Sequence, residues 1–212
     1  EDIDLTLSGA LAVVTIAPDE ESDARYTALK MQDVTVTADL SSDSFGLTGA
    51  VTISRLDYNL AEEDFDRLDW TQFDFDGDGT NEALNPGAEL PTPVDLTIDY
   101  PHEFVRRVTG SVTGNGDQPN GDPGTVFITS GDVSLAGTAE FAVTRYERDI
   151  EAMTDAQLDS YAFTVDGAQL LIDEDIDLTL SGALAVVTIA PDEESDARYT
   201  ALKMQDVTVT AD

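Results

Sequence analysis

The feature that most constrains the fold of this chain is an exact repeat at its two ends. Residues 1–39 and residues 174–212 are identical at every position, so the same 39 residues recur at an offset of 173. An ancient duplication is excluded, because drift would have scattered substitutions through the copies. Both copies are therefore expected to form the same structural unit, and the architecture has to accommodate that unit twice.

Three origins explain such identity. The chain is a window from a tandem array kept uniform by recombination, an engineered chain with a terminal segment copied to the other end, or a recent partial duplication. In each case residues 1–173 form one full period and residues 174–212 begin the next. The absence of a signal peptide before Glu1 is what a window from inside an array predicts.

Most of the period alternates between apolar and polar residues, which is the pattern of β-strands. We predict an all-β fold with long, mostly antiparallel strands that continue across the repeat boundary. Elongated curved sheet, solenoid and sandwich modules all fit this pattern. A strand cut off at the boundary would leave an unpaired edge. Alternation is clearest within residues 3–7, 34–37, 51–54, 94–99 and 133–143.

Two further local patterns carry predictions. Segments Glu62–Trp70 and Thr154–Tyr161 could each form a short helix, with Thr154 as the N-cap of the second. A Leu-x-Gly motif recurs around Gly9, Gly49 and Gly137. Glycine inside a strand usually marks a bulge or a bend, so the motif indicates a row of bends across the sheet, unless it is a coincidence of composition.

Composition excludes several classes of function. The chain has 44 Asp and Glu against 10 Lys and Arg, a formal net charge of −34, which argues against nucleic-acid partners and against docking on anionic lipid. Hydrophobic residues make up 41%, enough for a packed core. Cysteine is absent and His102 is the single histidine, so thiolate and His-rich sites are excluded. We expect no enzyme, and His102 is interpreted as a structural or surface residue.

The sharpest chemical motif is the acidic segment from Asp74 to Glu82, which reads Asp-x-Asp-x-Asp-Gly in its first half. Calcium binds six to eight oxygens, and alternate carboxylates followed by glycine can wrap around it. The twelfth position of the loop is Asn85 rather than glutamate, and no helix pair flanks it, so we predict an isolated calcium loop rather than an EF-hand. The expected ligands are Asp74, Asp76, Asp78, the Thr80 carbonyl and Glu82.

Other polar and aromatic clusters are weaker candidates. The acidic turns at residues 19–23 and 115–122 could hold further calcium ions. Trp70, beside Phe73 and Phe75, either anchors the acidic loop to the core or offers a platform for stacking a sugar. The basic residues Arg106, Arg107, Arg145 and Arg148 are expected to pair with acids of the same or a neighbouring module.

Taken together, the chain resembles the modules of giant, secreted, tandem-repeat surface proteins of aquatic bacteria. The resemblance rests on the 173-residue period, the Asp-rich and Lys-poor acidity, the absence of cysteine and the Leu-x-Gly strands. It implies an extracellular, calcium-stiffened module with a structural or adhesive role. Its partners would be neighbouring identical repeats or subunits, and a surface polysaccharide or another cell.

Two alternatives to that function stay open at this stage. In the first, the chain is a self-assembling filament subunit that donates a terminal strand to its neighbour, with residues 1–39 as the duplicated donor. In the second, it is a carbohydrate-binding module built around Trp70.

Overall fold

The computed structural model confirms the predicted all-β class. It describes residues 4–18, 23–42, 45–62, 65–74, 78–114, 126–130, 133–151, 153–172, 176–191 and 197–211. The regular elements in these ranges are β-strands and one short 3₁₀ helix, Pro86–Glu89. The strands are β1 (Asp4–Ile16), β2 (Tyr26–Ser42), β3 (Phe45–Ala61), β4 (Phe104–Gly114), β5 (Val126–Ser130), β6 (Val133–Ile150), β7 (Met153–Ile172), β8 (Ile176–Ala190) and β9 (Tyr199–Ala211).

All the strands belong to one open antiparallel sheet. Its order is β1-β2-β3-β4-β6-β7-β8-β9, so each strand pairs with the next along the chain, except that β4 pairs with β6. Strand β5 lies beyond the end of β4 and pairs with β3 and β6 there. In the described part of the chain there is therefore a single elongated sheet, and not a sandwich of two.

Three local predictions were wrong. The segment Thr154–Tyr161 lies inside β7 rather than in a helix. The described residues of Glu62–Trp70 are irregular. The alternating stretch 94–98 forms no ladder, although its pattern correctly marks burial: Leu96 and Ile98 are 1% and 0% exposed. Only an isolated bridge joins Ile98 to Leu84.

The two copies of the repeated segment form the same hairpin in the same register. Leu7 is opposite Val36 in the first copy, and the corresponding Leu180 is opposite Val209 in the second. Each hairpin carries a bulge at its mid-strand glycine, Gly9 or Gly182.

Mid-strand glycines mark irregularities elsewhere in the sheet as well. A further bulge between β6 and β7 includes Gly137, whose φ is +134°. A Cβ atom at Gly137 would lie 2.6 Å from the Cα of Ala168, so only glycine fits this close approach. Bulges therefore lie at Gly9 and Gly137 as predicted, whereas Gly49 pairs with Ala38 in a continuous register and marks no irregularity between β2 and β3.

The main hydrophobic core lies on one face of the sheet, near β1 to β4. The long connection between β3 and β4 runs from residue 62 to residue 103, and its described residues, called the overlay below, fold over this face. Its buried side chains Trp70, Ile98 and Tyr100 pack with Ala28 of β2 and Phe104 of β4. The described residues include no helix that is long and apolar enough to cross a membrane.

Candidate functional site

The predicted calcium loop lies at the exposed end of the overlay. The Asp74 carboxylate accepts backbone N–H bonds from Asp78, at 3.2 Å, and from Gly79, at 2.8 Å. Asp78 Oδ1 accepts the N–H of Thr80 at 2.7 Å, and the N–H of Glu82 donates to the Phe73 carbonyl. The predicted ligands Asp74, Asp78 and Thr80 are exposed, and Glu82 is partly buried.

The described residues of the loop do not form an assembled cation site. Asp76 lies outside the described residues, as do residues 19–22 and 115–122 of the weaker candidates. Among the described residues, no group of three or more His, Cys, Asp or Glu side chains is arranged to hold a metal ion. Asn85, at the twelfth position, is used by the fold instead: its Oδ1 accepts the N–H groups of Gly87 and Leu96.

Trp70 is buried and presents no ring face to a sugar. It is 1% exposed, and its Nε1 donates to the Asn59 Oδ1 at 2.9 Å. The ring of Phe73 packs against it, with centroids 5.5 Å apart. Trp70 therefore anchors the overlay to the sheet, which is the first of the two roles expected for it, and it cannot serve as the stacking platform.

A buried ionic cluster beneath the overlay was not predicted from the sequence. Asp57 of β3 is fully buried, with Lys30 Nζ 3.9 Å from its Oδ1 and Arg107 Nη1 3.6 Å from its Oδ2. Arg55 also pairs with this carboxylate, and the Tyr100 hydroxyl donates to it at 3.0 Å. Three of the ten basic residues of a very acidic chain thus meet at one carboxylate.

The surroundings of this cluster shift two titrating groups. Burial lowers the pKa of Lys30, and the attraction of Asp57 opposes that shift. Burial and the neighbouring Asp57 raise the pKa of Tyr100 well above its usual value of 10.0, so the phenol stays a neutral hydrogen-bond donor. Because Asp57 and Lys30 are enclosed, we assign the cluster to holding β2, β3, β4 and the overlay together. The one sequence signal for it is that Lys30 is the single lysine of the period.

Of the other basic residues, Arg145 is paired within the sheet, as expected, and Arg67 pairs with β6, whereas the Nε of Arg106 is buried without a hydrogen-bond partner among the described residues. Arg145 makes two hydrogen bonds of 2.7 Å to Asp159 of the adjacent strand, which raise its pKa. Arg67 of the overlay pairs with Glu147 of β6 beside a polar cleft of about 680 Å³. His102 is exposed at the wall of this cleft. The remaining lining residues are Phe65, Asp66, Glu103, Arg148, Asp149 and Asp155.

The two edges of the sheet are the clearest candidate interaction sites. Among the described residues, β1 pairs only with β2, and β9 pairs only with β8. The other copy of each edge strand has a neighbour on that side. Strand β8, which repeats β1, also pairs with β7, and β2, which β9 repeats, also pairs with β3. The second copy therefore shows which strand can pair with the open edge of β1, and the first copy shows which strand can pair with the open edge of β9.

Comparison of the chain with protein-family models, with curated proteins and with solved structures found no match.

Proposed function

We propose that this chain is a structural repeat module of an extracellular bacterial surface protein or filament, and that successive periods continue one antiparallel sheet. The observation that supports the proposal is the pairing of the two identical hairpins. Superposing β8 on β1 would give the open edge of β1 a β7-type neighbour. Superposing β9 on β2 would give the open edge of β9 a β3-type neighbour.

The geometry of the sheet is compatible with such continuation. Strand β8 stands six positions after β1 in the sheet, so each period begins in the same strand direction. Neighbouring strands are about 4.8 Å apart, and one period would therefore lengthen the sheet by roughly 29 Å. In an array each internal edge is covered by the next period, which removes the unpaired edges that make open sheets prone to aggregation.

A disulfide tests this continuation, since the chain contains no cysteine. Thr35 of β2 and Thr52 of β3 are directly opposed, with hydroxyl oxygens 3.1 Å apart. In a chain lengthened by one further period of 173 residues, cysteine at Thr208 and at the second-period counterpart of Thr52 should form an intrachain disulfide. The pair Thr35→Cys and Thr52→Cys in the present chain is the positive control.

The matched negative control moves the first cysteine by one residue, to Val209, which points to the other face of the strand. Equal cross-linking from Thr208 and Val209, or none from Thr208, would show that successive periods do not share a sheet. Mass spectrometry of the oxidised chains measures both outcomes.

We also propose that calcium stiffens the module at Asp74, Asp76, Asp78, the Thr80 carbonyl and Glu82. The support is the ligand spacing, together with a loop whose Asp74 carboxylate already lies against the backbone N–H groups of residues 78 and 79. A ligand that binds only the folded state at 100 times its Kd adds about 2.7 kcal/mol. For a chain of this length that corresponds to a rise in Tm of roughly 5–10 °C.

Melting curves in chelator and in millimolar CaCl₂, each at low and at near-molar NaCl, measure this rise. The variant Asp74→Asn/Asp78→Asn keeps acceptor oxygens but removes two charges, and its Tm should not respond to calcium. If NaCl raises the Tm of the unchanged chain as much as calcium does, the loop is a solvated acidic turn and the acidity is an adaptation to salt.

The second candidate function is self-assembly by hairpin exchange, and the identity of β2 and β9 favours it. The β2 residues from Tyr26 to Ala38, which pair with β3, recur in β9, and only the end of β2 from residue 40 to 42 lies outside the repeat. The 174–212 hairpin of one molecule could therefore replace the 1–39 hairpin of another with the same contacts over that length. Thr52 and Thr208 lie on β3 and β9, which four strands separate within one sheet. A disulfide in the variant Thr52→Cys/Thr208→Cys must therefore join two molecules. Oxidation that yields only monomers at all concentrations would exclude exchange.

A further inference from the structure

The two faces of the sheet differ in chemistry. The overlay covers part of one face, where its residues contact Ala28, Asn59 and Phe104. On the opposite face, called the open face here, alternate side chains of the strands are mainly aliphatic and aromatic. Among the described residues, no other segment of the chain forms a second layer over the open face.

Three rows of side chains cross the open face from strand to strand. The first of these rows is traced by the pairing register across eight strands. The first row contains Leu11, Met31, Leu56, Val108, Val143, Tyr161, Val186 and Leu202. The second contains Val34, Ile53, Gly110, Phe141, Phe163, Leu184 and Met204, and the third contains Val36, Val51, Val112, Ala139 and Val165.

Large apolar side chains in these rows are exposed. Phe163, in the interior of the sheet, is 40% exposed, and Leu202 and Met204 of β9 are 62% and 61% exposed. Isolated exposed apolar residues are normal on a soluble protein, but contiguous apolar surface of this extent marks an interaction site.

The open face is also electrically neutral where it is apolar. The three rows contain no charged residue, although the chain carries a net charge of −34. Charges on this face begin in the adjoining row, which contains Arg106, Arg145 and Asp159. Arg145 and Asp159 neutralise each other through two hydrogen bonds, and Arg106 adds one positive charge beside them. The acidic residues that make two chains repel each other therefore lie outside the three rows, and salt can screen their repulsion.

The dimensions of the face match those of another sheet. Eight strands about 4.8 Å apart span roughly 34 Å, and three rows about 7 Å apart cover roughly 20 Å of strand length. The resulting footprint of roughly 700 Å² per molecule is close to the about 800 Å² per partner that stable complexes bury. The open face is a broad sheet surface crossed by these rows. A partner surface of the same extent and the same row pattern complements it best. A second copy of the chain presents such a surface.

We propose that the open faces of two copies pack together, forming a two-layer sandwich around a two-fold axis. Aligned sheets pack about 10 Å apart with interdigitated side chains, and a two-fold interface uses the same patch on both molecules. This inference does not depend on the repeat proposal, because it concerns the face of the sheet and not its edges.

Sedimentation equilibrium in 0.5 M NaCl, where the Debye length is about 4 Å, tests the proposal with the full chain. We expect a reversible dimer between 1 and 100 µM protein, values chosen to span about micromolar affinity. The variant Phe163→Lys should weaken dimerisation at least about tenfold, because it places a charge at the centre of the interface. Its neighbour Thr164 lies on the opposite face, so Thr164→Lys should change the affinity less than about twofold.

Circular dichroism establishes that the variants are folded. If Phe163→Lys does not fold, Leu202→Lys on the exposed edge strand replaces it. A monomer at 100 µM would overturn the proposal, and so would equal weakening by the Phe163 and Thr164 variants. Binding of the chain to neutral phosphatidylcholine vesicles in place of self-association would assign the face to lipid instead. Hairpin exchange can be distinguished from this dimer, because exchange uses the edge strands and allows the Thr52–Thr208 disulfide to form between two molecules.

Discussion

The two copies of the 39-residue segment have the same sequence in two different environments. Their local backbone is alike: Asp33 and Asp206 both have a φ of 52°, and Gly9 and Gly182 have φ values of 137° and 147°. The bulged hairpin is therefore specified by the segment itself. A residue with positive φ beside a mid-strand glycine fixes the bulge whether or not another layer covers it.

Burial of the same residues differs sharply between the copies. Ala28 is fully buried beneath the overlay, whereas its counterpart Ala201 is exposed. Val34 is 6% exposed between its neighbours, and Val207 is 47% exposed. The difference arises because, among the described residues, the overlay packs on the first copy alone, and because β3 pairs with β2 and not with β9. The local backbone conformation is thus determined by the 39-residue segment itself. The burial of its side chains, and with it their contribution to stability, depends on the parts of the intervening chain that pack against the segment.

The largest effect is expected from one substitution made in each copy. Ala28→Glu places a carboxylate in the core cluster, and it should lower the free energy of unfolding by about 3–5 kcal/mol. Ala201→Glu introduces the same residue on an exposed surface, where the change should stay within about 0.5 kcal/mol. Urea unfolding followed by fluorescence of Trp70, the single tryptophan, measures both values. Equal losses would show that the overlay does not depend on the first copy.

A smaller effect is expected where the copies differ in strand pairing. Val34→Ala removes two methyl groups from a buried site and should cost about 2 kcal/mol. Val207→Ala makes the same change in β-propensity at an exposed site, so it should cost no more than about 0.5 kcal/mol. The same urea titration measures the free energy of unfolding of both variants. The difference between their losses gives the effect of burial, because the change in β-propensity is the same in both. If addition of a following period raises the cost at Val207 toward that at Val34, the edge of β9 has gained its partner.

Much of the sheet could be predicted from the sequence, because strand alternation is a local signal. The alternation in the repeated segment correctly predicted paired strands in both copies. The same signal was wrong for Val94 to Ile98, where alternate burial arises from packing of the overlay and not from a ladder. It also missed β7, in which residues 154–161 pair with β6 and β8 despite a helix-like pattern. Pairing on both sides outweighs weak helix propensity there.

The overlay and its ionic cluster could not be predicted, because they depend on contacts between distant parts of the chain. Lys30, Asp57 and Arg107 meet through the register of three strands, and Tyr100 reaches them from the overlay. No spacing in the sequence encodes that meeting. The ligands of the calcium loop are adjacent in sequence, so their motif could be recognised at once, and metal binding there stays a prediction.

The smallest expected effect concerns the pH dependence that the overlay confers on the first copy alone. The Tyr100 hydroxyl donates to the Leu29 carbonyl at 3.2 Å and to Asp57, while no described residue of the chain covers the second copy in this way. Since folding raises the pKa of Tyr100, its stabilising contribution is complete below its unfolded value of 10.0 and is lost as the pH rises above that value. The Lys30 pKa is lowered, so its burial penalty is relieved as the pH rises toward its unfolded value of 10.5, largely before the contribution of Tyr100 is lost.

Replacing Tyr100 by phenylalanine should separate these two contributions. Tyr100→Phe should cost about 1 kcal/mol at pH 7 through the lost hydrogen bond, and its deficit should shrink above pH 10, where the phenol of the unchanged chain ionises on unfolding. Urea unfolding at intervals from pH 7 to pH 11 measures this convergence. Tyr199→Phe, on the uncovered copy, is the matched control for removing a tyrosine. A deficit at Tyr100 that stays constant with pH would mean that the overlay leaves this phenol as free to ionise in the folded chain as in the unfolded one, and that the two copies differ in packing but not in electrostatics.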